Sequence, residues 1–408
     1  MTESVTRRTR PFYLIALALI ASIVASGCSS CKRGDAKKSE GPLTKGAAIS
    51  IPRARAAYVT NNGSDTISVF DRDGDAVIDV PVDLDPDEHE APHHLAIDPV
   101  AQKMFVALAF PPAPTKKKDP HATHGGGTDV GRLVRLDLAN LAITDEMDVD
   151  ENPGDVLLTH DRARVIVTHF DMRRAMDVAA KGAASPATMF AHLVLVDAKT
   201  MTRIDSRAVC TAPHGVAITK DDKTAFVACY GSDELAVVDL AAPGLPTARI
   251  PLGSSPGVPG VPRYGPYSAT LSPDESYVVL ADLEGQDVRV YDRATKKLVP
   301  ERTVPLAAKA FMPAFVDDTT IIVPTQAPDG LAKVDMVAAK VVGRGAITKA
   351  ECALPHVVKV AKDGRVYLVC EGDHVGPGSV VELDRETLAI KKRWQVGVYP
   401  DGIALPED

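Results

Sequence analysis

Histidines and other polar residues stand directly after prolines that recur along the chain. The prolines are Pro92, Pro153, Pro213, Pro266, Pro313, Pro355 and Pro400, and the residues that follow them are His93, Gly154, His214, Tyr267, Ala314, His356 and Asp401. A second histidine, His94, follows His93. Neutral imidazole is a common ligand of zinc, copper and iron. If the prolines are equivalent positions of a repeating fold, these side chains meet at one place and could hold a metal ion, a haem or a polar ligand.

The prolines belong to a repeat of short apolar runs separated by turns. In Pro213–Asp239, the runs Val216–Thr219, Thr224–Cys229 and Leu235–Val238 are separated by polar or glycine-containing turns. Runs of this length predict strands rather than helices. Each copy ends in an aspartate, and these are Asp71, Asp137, Asp197, Asp239, Asp292, Asp335 and Asp384. Both markers predict seven four-stranded units, which is typical of a β-propeller.

The two markers are out of step at the chain ends, and this offset predicts how the ring closes. Asp71 precedes the first of the prolines, and no closing aspartate follows Pro400. The run Arg55–Val82 would therefore supply three strands of the first blade, and Gly402–Leu405 its innermost strand. Closure of this kind leaves no exposed sheet edge. We expect an all-β fold, a seven-bladed propeller over residues 52–408, closed by strands from both ends.

One stretch of the first blade resembles a known family. Tyr58-Val59-Thr60-Asn61, followed by Asp65–Asp71, resembles the YVTN-repeat β-propellers, including the bacterial surface-layer type. The Pro-x-Gly-hydrophobic-Ala step of that family is matched at Pro213–Ala217 and Pro400–Ala404. The resemblance implies the propeller fold but no particular reaction, because the family shares none. Only the first blade carries the YVTN motif intact, and the blade that opens at Pro313 is degenerate.

Four cysteines form two pairs with nearly the same spacing. Cys210 and Cys352 each lie three residues before a blade proline, and Cys229 and Cys370 end the second strand of the same blades. Of the three pairings that four cysteines allow, only Cys210–Cys229 with Cys352–Cys370 repeats one geometry twice, since the first two strands of a blade are antiparallel neighbours. We expect two disulfides, which require an oxidising compartment, rather than a four-cysteine metal site.

The N-terminal segment has the pattern of a secretion signal. Arg7, Arg8 and Arg10 precede the apolar run Phe12–Val24, and small residues follow it. The run is too short for a helix that spans a membrane.

The end of that segment resembles a bacterial lipobox. Gly27-Cys28 after small residues implies cleavage at residue 27 and lipid attachment at Cys28, although Ala25 stands where the lipobox prefers leucine, so that ordinary secretion is the alternative. The predicted domains are a signal peptide at 1–27, a lipidated N-terminus with a flexible tether at 28–51 and the propeller at 52–408. By analogy with enteric bacteria, Ser29 indicates the outer membrane, with the protein facing the periplasm or the cell surface.

Charge and motifs exclude several function classes. The 408-residue chain has a formal net charge of −8 and no basic stripe, which makes it a poor nucleic-acid binder. It also lacks a nucleophile elbow, a phosphate loop and a dinucleotide fingerprint. The sequence therefore favours a binding protein over an enzyme.

The face of the ring on which each inner strand begins, which we call the top face, carries the long loops. Phe110–Val130, Asp171–Ala191 and Gly253–Tyr264 map there, as do all histidines except His160. Long loops on a rigid scaffold commonly carry binding sites. We therefore expect a ligand at the channel mouth on this face, contacted by His93, His94, His214, Tyr267, His356 and Asp401.

Other interpretations of these histidines stay open. A histidine after a blade proline can cap a turn, and the histidines of blades two, four and seven could lie too far apart to share one ion. No cofactor is certain, and a metal ion or haem at the mouth is an alternative to a polar ligand or peptide. His121 and His124, among lysines and glycines, are typical of a mobile loop, with a zinc clamp as the alternative.

The function predicted from these features is that of a cell-envelope lipoprotein. Its propeller would be a scaffold that binds an envelope protein or a small ligand through the top face, with a lipid as its contact with the membrane. The alternative is an envelope oxidoreductase or electron-transfer subunit that uses a metal or cofactor at the mouth, or a lactonase-like hydrolase.

The lipid anchor is tested by Cys28→Ala. We expect this variant to remain uncleaved by the lipoprotein peptidase and unlabelled by a palmitate analogue, because the modified thiol is missing. Cys31→Ala is the matched control and should be processed normally. Normal cleavage and soluble release of Cys28→Ala would indicate plain secretion instead.

Overall fold

The computed structural model describes residues 42–111, 129–254, 258 and 260–407. Over these residues the chain forms seven antiparallel sheets, the blades of a β-propeller, as the sequence predicts. The predicted signal peptide, Cys28 and the loop with His121 and His124 lie outside the described residues. Among the described residues, no helix has the length and hydrophobicity needed to cross a membrane.

Each blade has four strand positions, counted from the channel outward. In blades one to seven, the innermost strands are Pro400–Ala404, Pro92–Asp98, Pro153–Leu158, Pro213–Ile218, Pro266–Leu271, the pair Lys309–Ala310 and Ala314–Phe315, and Pro355–Val360. The second strands are Ala56–Asn61, Lys103–Leu108, Arg164–His169, Thr224–Cys229, Tyr277–Asp282, Thr320–Gln326 and Val366–Cys370. The third strands are Thr66–Asp71, Arg132–Asp137, Ala191–Asp197, Glu234–Asp239, Asp287–Asp292, Gly330–Asp335 and Pro377–Leu383. The outermost strands are Val77–Pro81, Ile143–Asp148, Thr202–Cys210, Thr247–Pro251, the pair Lys297–Leu298 and Val304–Pro305, Lys340–Ala346 and Ile390–Val398.

Burial along the strands explains their composition. The second strand Tyr277–Asp282 is buried at every position, because a blade packs against a neighbour on each face. Strands covered on both faces are nearly continuous apolar runs. The outermost strand Lys340–Ala346 instead alternates between exposed and half-buried residues, since one edge of it faces solvent. The hydrophobic core therefore lies between blades rather than in a single centre.

The ring closes between the two ends of the propeller, as predicted. Pro400–Ala404 pairs antiparallel with Ala56–Asn61, with Tyr58 opposite Ala404 and Val59 opposite Ile403. The hydroxyl of Thr60 accepts a hydrogen bond from the Gly402 N–H at 3.0 Å. The C-terminal strand thus completes the blade that the N-terminal strands begin.

Blade six carries the irregularity that the degenerate repeat at Pro313 predicts. Its innermost position is split into Lys309–Ala310 and Ala314–Phe315, and both pieces pair with Thr320–Gln326. Between the pieces, Met312 forms a parallel bridge to Val357 of blade seven.

The remaining helical elements are short. The insertion Asp171–Ala191 contains the α-helices Met172–Ala180 and Pro186–Met189, and the Asp171 side chain caps the first by accepting the Arg174 N–H. Single 3-10 turns occur at Arg53–Arg55, Tyr230–Ser232 and Pro300–Arg302.

Residues 42–51, the end of the predicted tether, lie against the outermost strand of blade two. The Leu43 N–H donates to the Ile143 carbonyl at 2.7 Å, and the Ala47 N–H donates to the Asn140 carbonyl at 2.8 Å. Ile51 is buried against the apolar residues between blades one and two. These contacts reach the first residue of that strand and the turn before it, so residues 42–51 pack on the propeller rather than forming a flexible tether.

The two predicted disulfides are present. Cys210 bonds to Cys229 and Cys352 bonds to Cys370, with Cα–Cα distances of 5.9 and 5.1 Å. Disulfides persist in oxidising compartments, so the bonds indicate that the chain folds outside the cytoplasm.

Removing either disulfide should lower the free energy of unfolding by about 3 kcal/mol, because each closes a loop of nearly equal length in the unfolded chain. The variants are Cys210→Ala with Cys229→Ala, and Cys352→Ala with Cys370→Ala, measured by denaturant unfolding. Wild-type protein in reductant should lose the two contributions together. Equal stability of oxidised and reduced wild type would contradict the prediction.

Candidate functional site

The structure brings the residues that follow the blade prolines into one layer across the top of the channel. His93, His214, Tyr267, His356 and Asp401 are each no more than 3% exposed. The sequence predicts a ligand at the channel mouth here, and among the described residues these side chains are buried against one another. They form a buried layer across the channel, which we call the histidine layer.

Bulges at the start of the innermost strands set the direction of these side chains. Pairing with the second strand shifts register between Pro92 and Leu95, and again between Pro213 and Val216. The same shift occurs after Pro153 and Pro355. A bulge re-aims side chains at the end of a sheet, and here the bulged residues include His93, His94 and His214.

A glycine in blade three makes room for the imidazole of His214. Gly154 occupies the position that His93 and His214 hold in the neighbouring blades. A Cβ at residue 154 would lie 3.4 Å from His214 Cδ2 and 3.1 Å from Thr168 Oγ1. Without that side chain, His214 of blade four lies beside the two histidines of blade two, at ring centroid distances of 5.7 Å from His93 and 5.5 Å from His94.

Two buried carboxylates orient the histidines of blade two. His93 Nδ1 contacts Asp401 Oδ2, and His94 Nδ1 lies 2.7 Å from Asp155 Oδ1. Asp155 is itself fixed, because its Oδ2 accepts the Val216 N–H at 3.0 Å. With Nδ1 of each ring turned to a carboxylate, Nε2 is the nitrogen directed elsewhere in the layer.

Three of the histidines come close enough to share an ion. One ring nitrogen each from His93, His94 and His214 lies within 4.8 Å of the other two. The concern that blades two and four are too far apart is therefore wrong for these residues, since Gly154 lets the rings approach across blade three. His356 of blade seven does not belong to this group.

His356 belongs to a second, adjoining network. Its Nδ1 lies 3.0 Å from Asp401 Oδ1 and 3.3 Å from Glu371 Oε1. Glu371 also receives the Gln326 amide at 3.2 Å and contacts His374 Nε2 at 2.6 Å. Asp401 thus connects His93 to a chain of buried polar groups from blades six and seven.

Burial and charge shift the pKa values of this layer in opposite directions. Burial lowers the pKa of His93 and outweighs the neighbouring Asp401 carboxylate. Burial also disfavours the charged form of His356, but the Glu371 and Asp401 carboxylates outweigh it and raise the pKa of His356. Burial opposes ionisation of Asp401, yet the imidazoles of His93 and His356 hold its pKa well below the ordinary value. The layer therefore favours an ionised Asp401 and the charged form of His356.

Aromatic rings form the other side of the layer. Tyr267 stacks on His214 with ring centroids 3.9 Å apart, and its hydroxyl lies 3.3 Å from His356 Nε2. Phe170 meets His214 edge-on at 5.1 Å, and Phe311 meets His356 at 5.2 Å. These aromatic contacts restrict the orientation of both imidazoles.

Below the histidine layer, the channel holds a cavity of about 800 Å³. The innermost strands of all seven blades line it with largely apolar residues. His94 and Asp155 stand at its closed end, and His160, Arg162 and Lys362 stand at the other, in the turns between first and second strands. Among the described residues, the cavity therefore extends from the histidine layer to the bottom face of the ring.

Sequence reasoning missed some residues of this site. Asp155 stands two residues after its blade proline, the position that His94 holds in blade two, and that shared position was a signal that could have found it. Glu371, Phe170 and Phe311 lie near strand ends outside the proline motif, so no local pattern marks them.

Comparison with solved structures finds other propellers. A functionally unknown protein from Desulfotomaculum acetoxidans superposes with a TM-score of 0.61, at 11% identity over 86% of this chain and 98% of its own. The periplasmic gluconolactonase of Pseudomonas aeruginosa gives 0.59 at 17% identity, over 86% and 98%. A dihydro-heme d1 dehydrogenase gives 0.52 at 14% identity, over 90% and 79%. No protein-family model matches the sequence, and neither does any curated protein. At these identities the likeness shows the fold alone, that of a seven-bladed β-propeller.

Proposed function

We propose that the protein is a cell-envelope lipoprotein that binds a small ligand in the central channel of its propeller, without catalysis. The observation that carries this proposal is the cavity of about 800 Å³, which is closed by the histidine layer at one end. Concave, largely apolar spaces with a few convergent polar groups are the usual binding sites for small molecules. On the motif Tyr58–Asn61, we also assign the ring to the YVTN-repeat propellers.

The distribution of charge in the cavity favours an elongated ligand with an anionic end. Leu95, Val156 and Ile218 are among the apolar side chains of its wall. Arg162, Lys359 and Lys362 line its lower part, and the Glu407 carboxylate there is engaged by Arg72 at 2.6 Å. Positive charge around an entrance attracts anions and raises their rate of association. A ligand with an apolar body would contact the apolar wall of the channel, and its acidic group would contact the basic residues at the bottom face.

A location in the cell envelope is supported by the disulfides. The two disulfides indicate an oxidising environment, and the predicted lipid on Cys28 would hold the ring at a membrane. An envelope protein that docks on the ring remains part of the proposal, as a donor or acceptor of the ligand.

A second candidate is that the channel holds a haem-type cofactor for electron transfer. Two observations favour it: His94 lines the closed end of the cavity, and the dihydro-heme d1 dehydrogenase has a similar propeller. An imidazole can serve as an axial ligand of haem iron. The absorption spectrum of protein purified from its native envelope separates the candidates, since haem gives strong visible bands and an apolar anion gives none.

Channel binding is tested by Ala217→Trp, which places a large side chain in the innermost strand of blade four. The probe is 1-anilinonaphthalene-8-sulfonate, an apolar anion whose fluorescence rises in an apolar site. We expect saturable binding by wild type, weakened at least about tenfold in the variant, or about 1.4 kcal/mol. Val342→Trp, on the exposed outermost strand of blade six, is the control and should bind as wild type does. Equal binding by Ala217→Trp, with an unchanged melting temperature, would refute a channel site.

A further inference from the structure

The imidazole of His94 has one nitrogen whose environment calls for an explanation. Nδ1 bonds to Asp155, whereas Nε2 is buried and makes no hydrogen bond within the described part of the chain. The carboxylate atom Asp401 Oδ1 lies 3.9 Å from it, beyond hydrogen-bond length. Buried polar atoms are nearly always satisfied in native proteins, so one that is not indicates an ion, a ligand or a water.

The geometry of the neighbouring rings supplies the other donors. His93 and His214 each present a ring nitrogen within the same 4.8 Å as His94. Three imidazoles that converge in this way are the ligand set of many zinc centres, which leave one further position to a water or substrate. His94 also lines the channel cavity, so that position can be reached from below.

The carboxylates around these rings have the arrangement of supporting residues in metal centres. Asp401 contacts His93 Nδ1, and Asp155 contacts His94 Nδ1. In metal sites, the ligating histidine almost always gives its second nitrogen to a carboxylate or carbonyl, which fixes the tautomer and makes the ligand more basic. The two aspartates also place negative charge beside the position that a cation would take.

His214 is held in place by different contacts. Tyr267 stacks on its ring at 3.9 Å and Phe170 packs edge-on at 5.1 Å, while Gly154 leaves the space into which the ring extends. A ring clamped between aromatic side chains keeps one orientation, and this pre-organisation is what a binding site requires.

The donor set selects the class of ion. Nitrogen ligands suit zinc, copper, nickel and cobalt, whereas calcium and magnesium prefer oxygen. We propose that His93, His94 and His214 bind one divalent first-row transition-metal ion, such as Zn²⁺, at the closed end of the channel. This site is independent of an apolar anion in the channel, whereas a haem bound through His94 would compete with the metal ion for that ligand.

The test uses the full-length protein, stripped of metal with a chelator and titrated with Co²⁺ as a spectroscopic probe, then with Zn²⁺ as competitor. We expect one Co²⁺ per chain with visible ligand-field bands, displaced by one Zn²⁺, and a melting temperature that rises with Zn²⁺ concentration. His94→Gln and His214→Gln should abolish the bands. Asp155→Asn should keep the ligands but weaken affinity about 10- to 100-fold, since it alters the support of His94.

His89→Gln is the matched control. His89 Nδ1 lies 2.9 Å from Asp65 Oδ2, so it has the same imidazole–carboxylate pairing outside the histidine layer, and the variant should bind Co²⁺ as wild type does. A second control, His121→Gln with His124→Gln, removes the two histidines of the loop outside the described residues. The proposal is overturned if folded wild type takes up no Co²⁺, if His94→Gln and His214→Gln bind it unchanged, or if the loop variant abolishes uptake. Should the layer variants fail to fold, an unaltered affinity in Asp155→Asn would equally overturn it.

Discussion

The pairing of Pro400–Ala404 with Ala56–Asn61 is the contact on which both the ring and the site depend. Without it, blade one would lack its innermost strand and the second strand would present an open edge to solvent. The same strand carries Asp401 to the side chain of His93. Thr60 connects the closing strand with the histidine layer, because its hydroxyl accepts the Gly402 N–H and donates to the His93 carbonyl. The strand that closes the ring therefore also brings Asp401 to His93.

A ring of equivalent blades turns one sequence position into a cluster. Residues that follow the blade prolines are far apart in the chain, and His93 and Asp401 are separated by 308 residues. Because every innermost strand begins at the axis, their side chains nevertheless converge. How closely they approach depends on the size of the side chain at each position. The imidazole of His214 lies beside Gly154, which has no side chain, and the rings of Tyr267 and Phe311 pack on the opposite side of the layer. Residues that are far apart in the sequence can thus form a buried polar cluster without any shared local motif beyond the blade proline.

The sequence predicts the fold well because each blade repeats its own signals. Prolines and aspartates count the blades, their offset locates the closure, and the spacing of cysteines such as Cys210 and Cys229 follows from antiparallel neighbours. The packing of side chains at the channel mouth cannot be predicted in the same way. Whether the layer is open or closed depends on bulges, and on how seven side chains from separate blades share the axis. Asp155 shares a blade position with His94 and could have been found from it, whereas Glu371 lies outside the proline motif, so no periodic pattern predicts Glu371.

The energetics of the histidine layer bear on its purpose. Asp401 and Glu371 are fully buried, and His93 and His356 are nearly so. Burying charged groups costs free energy that their mutual attraction often fails to exceed, and well-packed apolar residues of similar volume are commonly as stable or more so. Closing the channel would therefore not by itself require carboxylates and imidazoles. The metal ion proposed for the three convergent histidines would offset this cost, because its positive charge would lie beside the buried Asp401 carboxylate.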